Sequence, residues 1–404
     1  MNEGTIIDVP LFKKEESAGN QSLLLSCRNL KYSVNVGKRR KQTTKTILKG
    51  VDAIFRPGRL TSVMGASGAG KTTLLNLLAG EALGGQFEGK IFLNGAESSR
   101  QEVSGLSGFV FQDDVILETM TVREAIMMSA TLRLPKHVSS EEKNERVDEM
   151  MEILNLTKCE NTKIGSPSMK GISGGERKRV ALAMELITNP PILFLDEPTS
   201  GLDTENAYNV VSLLADLAHK LGRTVVLTIH QPPSEVFHMM DDLLLLAECQ
   251  VVYHGLASEA VEYFSRLGFK CPMYTNPADF FFLDLLGKKN HNHELNEGIS
   301  EKLLEIWQSS PENSKIVEEI EVAAQRDSLF SVPPLRKHMA PFYIQFGYLI
   351  QRASKNVLRN RMIFQVKAMQ SILIALLIGL IYLDINSKPL QAQIQVINQS
   401  GIHN

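Results

Sequence analysis

Three clusters of residues in this chain have the types and spacing to handle phosphate. The first, Gly65-Ala66-Ser67-Gly68-Ala69-Gly70-Lys71-Thr72, reads G-x-x-x-x-G-K-[ST] in full. Its glycines let successive backbone N–H groups turn inward around an anion. The helical run that follows, from Thr72 and Thr73 onward, adds the positive end of a helix. Lys71 reaches the terminal phosphates of a nucleotide, and the Thr72 hydroxyl is a Mg²⁺ ligand. The second cluster is Asp196-Glu197, closing the apolar run Ile192-Leu193-Phe194-Leu195. A carboxylate at the C-terminal end of a core strand sits where open α/β sheets bind ligands. Asp196 can hold Mg²⁺ through water, and Glu197 can polarise an attacking water as general base. The third is Ser173-Gly174-Gly175-Glu176, followed by Arg177-Lys178-Arg179 and the helical run VALAMELI. A hydroxyl and two glycine N–H groups at a helix start make another anion surface. Two such surfaces on one chain predict two chains closing over one nucleotide.

These clusters need strands behind them. Apolar runs at 60–65, 108–111, 191–196 and 224–229 have the length of buried strands and alternate with helical patterns. The rhythm predicts an α/β domain with a largely parallel sheet over 25–269. Between about 119 and 187 the pattern is helical and charged, which predicts an inserted helical subdomain. Residues 1–24 read as a flexible extension. Residues 270–340 read as a linker with helical pieces, polar from 286 onward. Residues 341–362 mix apolar and basic side chains at near-helical spacing, predicting an amphipathic helix on a membrane surface; an ordinary solvated helix is the alternative. Residues 366–383 carry one charge, Lys367 near the start, and predict a transmembrane helix of roughly 27 Å against a core of about 30 Å; a buried soluble helix is the alternative. Arg352, Lys355, Arg359, Arg361 and Lys367 lie at or before its start, whereas 384–404 has only Lys388 as a strong base, so the N-terminal part is expected on the cytosolic side.

Composition narrows the class. The chain has 404 residues, 43% hydrophobic and 22% charged, which excludes whole-chain disorder. Its mean hydropathy of -0.07 is too polar for a protein built mainly of membrane helices. A net charge of -2 disfavours a general nucleic-acid binder. Cys27, Cys159, Cys249 and Cys271 show no C-x-x-C spacing, so neither a disulfide framework nor a zinc site is expected. The first twenty residues contain no apolar core of a signal peptide. The basic run at 38–41 reads as a solvated loop between strands, with a nuclear signal as the alternative.

The ordered set of motifs resembles the nucleotide-binding domain of ABC ATPases over about residues 25–265. Ser173–Glu176 resembles the family signature, and Asp196-Glu197 the Walker B pair. Gln112 in FVFQDD resembles the Q-loop glutamine, which contacts Mg²⁺ and senses the membrane domain. Ser200-Gly201-Leu202-Asp203 resembles the D-loop, and His230 the switch histidine that meets the γ-phosphate. The spellings GISGGERKR, DEPTSGLD, IHQPPSEVF and NPADF resemble the G subfamily, the white-type half transporters. The resemblance implies ATP and Mg²⁺ as cofactors, homo- or heterodimers with another half transporter, contact with membrane lipids, and ATP-driven export of lipids, sterols or other hydrophobic small molecules. It implies an α/β P-loop NTPase domain with an inserted helical subdomain, then an amphipathic connecting helix and transmembrane helices. Family members carry six such helices and this chain one, so a fragment or a short form is expected. A truncated ATPase subunit that regulates a full-length partner, and a soluble mechanical ABC ATPase, are the alternatives. The aromatic residue that stacks on adenine in many relatives is expected near Tyr32, with Val34 as the other candidate.

Overall fold

The computed structural model describes residues 22–36, 43–82, 84–112, 116–135, 137–166, 169–287, 298–325, 340–359, 361–383 and 394–395. The basic run at 38–41, residues 1–21 and most of 384–404 lie outside the described residues. The chain divides into two units, 1–340 and 341–404.

The first unit begins with β1 (Leu25–Val36), β2 (Thr43–Phe55), β3 (Arg59–Gly65), α1 (Lys71–Leu78), β4 (Gln86–Leu93), β5 (Ala96–Glu97), α2 (Arg100–Leu106) and β6 (Ser107–Val110). A helical stretch comes next, α3 (Val122–Arg133), α4 (Ser140–Ile153) and α5 (Gly174–Leu186). Then come β7 (Ile192–Leu195), α6 (Thr204–Leu221), β8 (Thr224–Thr228), α7 (Ser234–Phe237), β9 (Asp242–Ala247) and β10 (Gln250–Leu256). The unit closes with α8 (Ala260–Arg266), α9 (Pro277–Phe280) running into a π-helical turn (Phe281–Leu285), α10 (Ile299–Gln308) and α11 (Pro311–Gln325).

The strands form two sheets. The larger runs β10-β9-β3-β8-β7-β6, parallel throughout except for β10 at its edge. The smaller, β2-β1-β4-β5, is antiparallel. The parallel strands are covered on both faces, so β7 and β8 carry no exposed side chain at all. That is why their sequences read as continuous apolar runs rather than alternating ones. Each buried aliphatic side chain contributes about 1.5–3 kcal/mol relative to exposure. Register sets where the strands end. Ser62 pairs with Leu227, Leu227 with Leu195, and Leu195 with Val110. The C-terminal ends of four neighbouring strands therefore lie level, and the loops leaving them share one end of the sheet.

Helix starts are encoded locally. Ser99/Glu102, Thr121/Glu124, Ser139/Glu142 and Ser173/Glu176 each form a reciprocal capping box. Such a cap stabilises its helix by about 1 kcal/mol.

Two differences from the expected boundaries have packing causes. Leu23 is buried and its carbonyl accepts from Thr224 Oγ1, so the core begins inside the segment read as an extension. Within the stretch read as a linker, Leu303, Leu304 and Trp307 are buried on one face of α10. Trp307 packs against Tyr253 and Tyr263, with ring centroids 5.9 and 6.0 Å away. Arg56 clasps Glu319 of α11 at 2.6 Å. The polar composition of α10 and α11 reflects their solvated faces, and a single apolar stripe suffices to dock them.

The second unit holds α12 (Phe342–Arg359) and α13 (Arg361–Leu383). On α12, Phe342 and Phe346 stack at 5.8 Å, as neighbours one turn apart do. Within α13, Gln365–Tyr382 has a mean hydropathy of 1.6 over 18 residues, long and apolar enough to cross a membrane.

Candidate nucleotide site

The loop between β3 and α1 is shaped by glycine. Gly65 has φ 154°, and a Cβ there would lie 2.4 Å from the Leu246 carbonyl oxygen. Only a residue without a side chain lets β3 turn away so close to β9. Ser67 and Gly68 stand exposed at the tip, while Ala69, Gly70 and Lys71 are buried. Lys71 folds its ammonium back into the loop, where Nζ donates to Gly65 O at 2.8 Å and Ala66 O at 3.3 Å. Burial pushes its pKa below the ordinary lysine value, while Glu197 and Asp196 oppose the shift. Among the described residues the two hydrogen-bond partners of the Lys71 ammonium are backbone carbonyls of the loop.

At the level ends of β7 and β8 a hydrogen-bonded chain crosses the site. Thr72 Oγ1 donates to Asp196 Oδ1 at 3.1 Å, and Thr228 Oγ1 donates to the same oxygen at 2.6 Å. The Glu197 N–H donates to Thr228 Oγ1 at 2.8 Å. Gln112 Nε2, one residue beyond the loop start after β6, donates to Glu197 Oε2 at 2.9 Å. Asp196 is buried and Glu197 half-buried. Glu197 sits at φ 46°, left-handed for a residue with a side chain, and such a conformation persists only when its surroundings over-determine it. Buried Lys178 of α5 donates to the carbonyls of Gln112 at 2.6 Å and Phe111 at 3.4 Å. Helix α5 therefore holds the backbone that carries Gln112.

Glu197 and His230 line one cleft of about 440 Å³, together with Thr199, Ser200, Gly201 and Gln231. His230 is exposed and stacks on Phe282 at 5.0 Å and 25°. Asp203 N-caps α6, accepting from Asn206 N at 2.8 Å. The Asn206 N–H holds the Asp203 carboxyl below the usual carboxylate range.

Ser173 and Gly174 are exposed at the start of α5. Ser173 Oγ accepts from Glu176 N at 3.2 Å, and Glu176 Oε2 accepts from Ser173 N at 2.8 Å. That backbone donor holds the Glu176 carboxyl below its ordinary range. Gly175 is buried against α6; a Cβ would lie 2.6 Å from Asn206 Oδ1. The structure thus brings Lys71, Thr72, Gln112, Asp196, Glu197 and His230 to one end of the sheet, while Ser173 and Gly174 stand exposed at the start of α5, with Gly174 next to Leu202. Tyr32 is 5% exposed and its hydroxyl donates to Gly84 O at 2.8 Å, so its ring is committed to the core. Val34 is half-buried and keeps the place of candidate adenine neighbour. Among the four cysteines all are free, and burial pushes the Cys27 thiol up to about 12.

Four residues of the site received no role from motif reading: Thr228, Lys178, Asn276 and Phe282. Lys178 lies within GISGGERKR and Asn276 opens NPADF, while Thr228 left only a hydroxyl ending an otherwise apolar core run.

A cradle, a buried lysine, and a hydroxyl–carboxylate pair on one sheet end define a P-loop nucleotide-binding domain of the ABC ATPase class. The ABC transporter family matches residues 48–200, and the ABC-2 type transporter family matches 230–310. The latter stretch holds β9, β10 and the helices up to α10, all in the first unit. The chain is 36% identical over 95% of its length to the broad substrate specificity ATP-binding cassette transporter ABCG2 of Bos taurus, covering 61% of it. It is 40% identical over 84% of its length to protein white of Drosophila melanogaster, covering 50% of that protein. It is 47% identical over 61% of its length to ABC transporter G family member 14 of Arabidopsis thaliana, covering 37%. The dimeric ATP-binding cassette MJ0796, in a post-hydrolysis state with ADP and Pi, aligns with 58% of this chain and 98% of its own at 26% identity and a TM-score of 0.49. The chain belongs to the ABC transporters, in their G subfamily. It is a membrane protein with a cytosolic ATPase domain. It spans about three fifths or less of the length of these curated relatives.

Proposed function

We propose that this chain is the ATP-hydrolysing part of a half transporter that exports a lipid, sterol or other hydrophobic small molecule. The observation that carries the reading is the convergence of Lys71, Thr72, Gln112, Asp196, Glu197 and His230 on one sheet end. The backbone of Gly65–Gly70 and the Lys71 ammonium hold the phosphates. Glu197 takes a proton from water as its oxygen attacks the γ-phosphorus, and the bond to the β–γ bridging oxygen breaks to leave ADP and phosphate. His230 meets the γ-phosphate from the cleft it shares with Glu197. Thr72 and Asp196 present hard oxygen donors 3.1 Å apart, a set that suits Mg²⁺ with its retained waters, and Gln112 stands beside them. The ion would neutralise charge on the phosphate oxygens.

Dimerisation belongs to this reading. The exposed helix start at Ser173 and Gly174 is a second anion surface in addition to the Gly65–Thr72 cradle, which supports a head-to-tail arrangement with a second copy or another half transporter. Closing and release would pass through the backbone around Gln112, clamped by Lys178, toward membrane segments. Cargo selection would lie in membrane helices. Glu197→Gln tests the centre of the proposal. It is expected to bind ATP, to lose turnover by about a hundredfold or more, and to accumulate as a closed dimer on gel filtration with ATP. Wild-type turnover would remove Glu197 from the role of base.

A further inference from the structure

His230 stands at the end of β8 on a loop that Gln231 bends into the left-handed region, φ 44°. An exposed imidazole there would exchange rotamers freely on the ps–ns scale. Two residues from the segment after α8 oppose this. Phe282 lies parallel to the imidazole, with centroids 5.0 Å apart and planes 25° apart. Asn276 Nδ2 donates to Pro232 O at 2.7 Å, two residues along the same loop. The other end of that amide accepts from Ala278 N at 3.1 Å and caps α9. Phe282 is 8% exposed and belongs to the π-helical turn Phe281–Leu285. Such turns insert one residue per turn and recur at functional sites.

We propose that Phe282 and Asn276 are positioning residues for His230. One ring sets the imidazole plane and one amide fixes its loop, so the histidine faces the cleft it shares with Glu197 before nucleotide arrives. The proposal rests on the ATP-hydrolysis reading above. Displacing a catalytic group by about 1 Å costs up to a hundredfold in rate.

The test compares the full chain in detergent with its Phe282→Leu, Phe282→Tyr, Asn276→Asp and His230→Ala variants, reading kcat and KM for ATP alongside the melting temperature. Phe282→Leu keeps apolar packing without a ring and is expected to lower kcat about tenfold, with KM changed less than about twofold. Phe282→Tyr restores most of the rate. Asn276→Asp keeps the cap yet sets an acceptor against the Pro232 carbonyl, so it lowers kcat as Phe282→Leu does; it carries the test alone if Phe282→Leu fails to fold. Added to His230→Ala, neither change lowers kcat further. An equal loss in that background would overturn the proposal, because the residues would then act on the fold and not through His230. Wild-type kcat in Phe282→Leu and Asn276→Asp, with His230→Ala slowed to a measurable residual rate, would overturn it while leaving the hydrolysis reading intact. Wild-type kcat in His230→Ala would discard the role of His230 itself, and the positioning proposal with it.

Discussion

Replacing Thr228 by Val should damage both the fold and the chemistry, and the size of the effect comes from two hydrogen bonds. Thr228 is fully buried at the end of β8. Its hydroxyl donates to Asp196 Oδ1 at 2.6 Å and accepts from Glu197 N at 2.8 Å. Valine matches the shape and lacks the oxygen. The Asp196 carboxylate loses a charge-assisted bond worth about 1.5–3 kcal/mol, and the stranded Glu197 N–H costs about 1–3 kcal/mol. Asp196 keeps Thr72 as a donor, which favours the lower values and a combined loss of about 3 kcal/mol. At about 2–4 °C per kcal/mol, Tm should fall by about 6–12 °C. Fluorescence of the single tryptophan, Trp307, reports the transition because its ring is buried against Tyr253 and Tyr263. Turnover should fall as well, since Glu197 at φ 46° loses an anchor. Thr228→Ser keeps the hydroxyl and should retain most of both. Unchanged Tm and kcat in Thr228→Val would refute the reasoning, as would a Thr228→Ser variant damaged equally.

Two further outcomes are expected. Lys178→Met preserves side-chain length but removes the donor from the Gln112 and Phe111 carbonyls, so kcat should fall about tenfold with the fold retained; steady-state ATPase assays check this. His254 is buried, with its ring against the Ile54 backbone and the Leu243 carbonyl. Burial lowers its pKa, against the attraction of Asp242. The folded state therefore favours the neutral ring, and its contribution is complete above the unfolded value of about 6.5. As pH falls from there toward the lower folded pKa, the unfolded chain binds the extra proton and stability drops by up to about 1.4 kcal/mol per pH unit. Urea midpoints between pH 7.5 and 5.5 should show that slope in the wild type and a shallower one in His254→Gln.

Legibility in the sequence tracked the range of the interactions. The cradle Gly65–Thr72, the pair Asp196-Glu197 and the cap Ser173/Glu176 are each written within a few consecutive residues, and their chemistry could be read directly. The parallel sheet was legible because double burial turns a strand into an unbroken apolar run. Thr228, Lys178, Asn276 and Phe282 act across 31 to 66 residues or through a ring stack. Nothing local distinguishes a buried lysine that clamps a loop from one of three basic residues in a row. The docking of α10 was hidden for a related reason, since three buried side chains are diluted by a solvated face.

The signature segment shows how a local motif can be legible in type and incomplete in use. A serine hydroxyl has one proton to give and two lone pairs to receive. In the capping box Ser173 Oγ receives from Glu176 N–H, and Glu176 returns a carboxylate oxygen to Ser173 N–H. The cap thus engages the acceptor side of the hydroxyl and leaves its proton as a donor on an exposed helix start. Gly174 adds an exposed backbone, and buried Gly175 lets α5 approach Asn206 of α6 more closely than a Cβ would allow. The glutamate also places its charge in the first turn, where it stabilises the helix end. A donor surface of this kind has chemical meaning only opposite an anion. In the proposed dimer that anion is the nucleotide held by Lys71 of the partner subunit, so the cap that stabilises the isolated chain also prepares its half of the shared site.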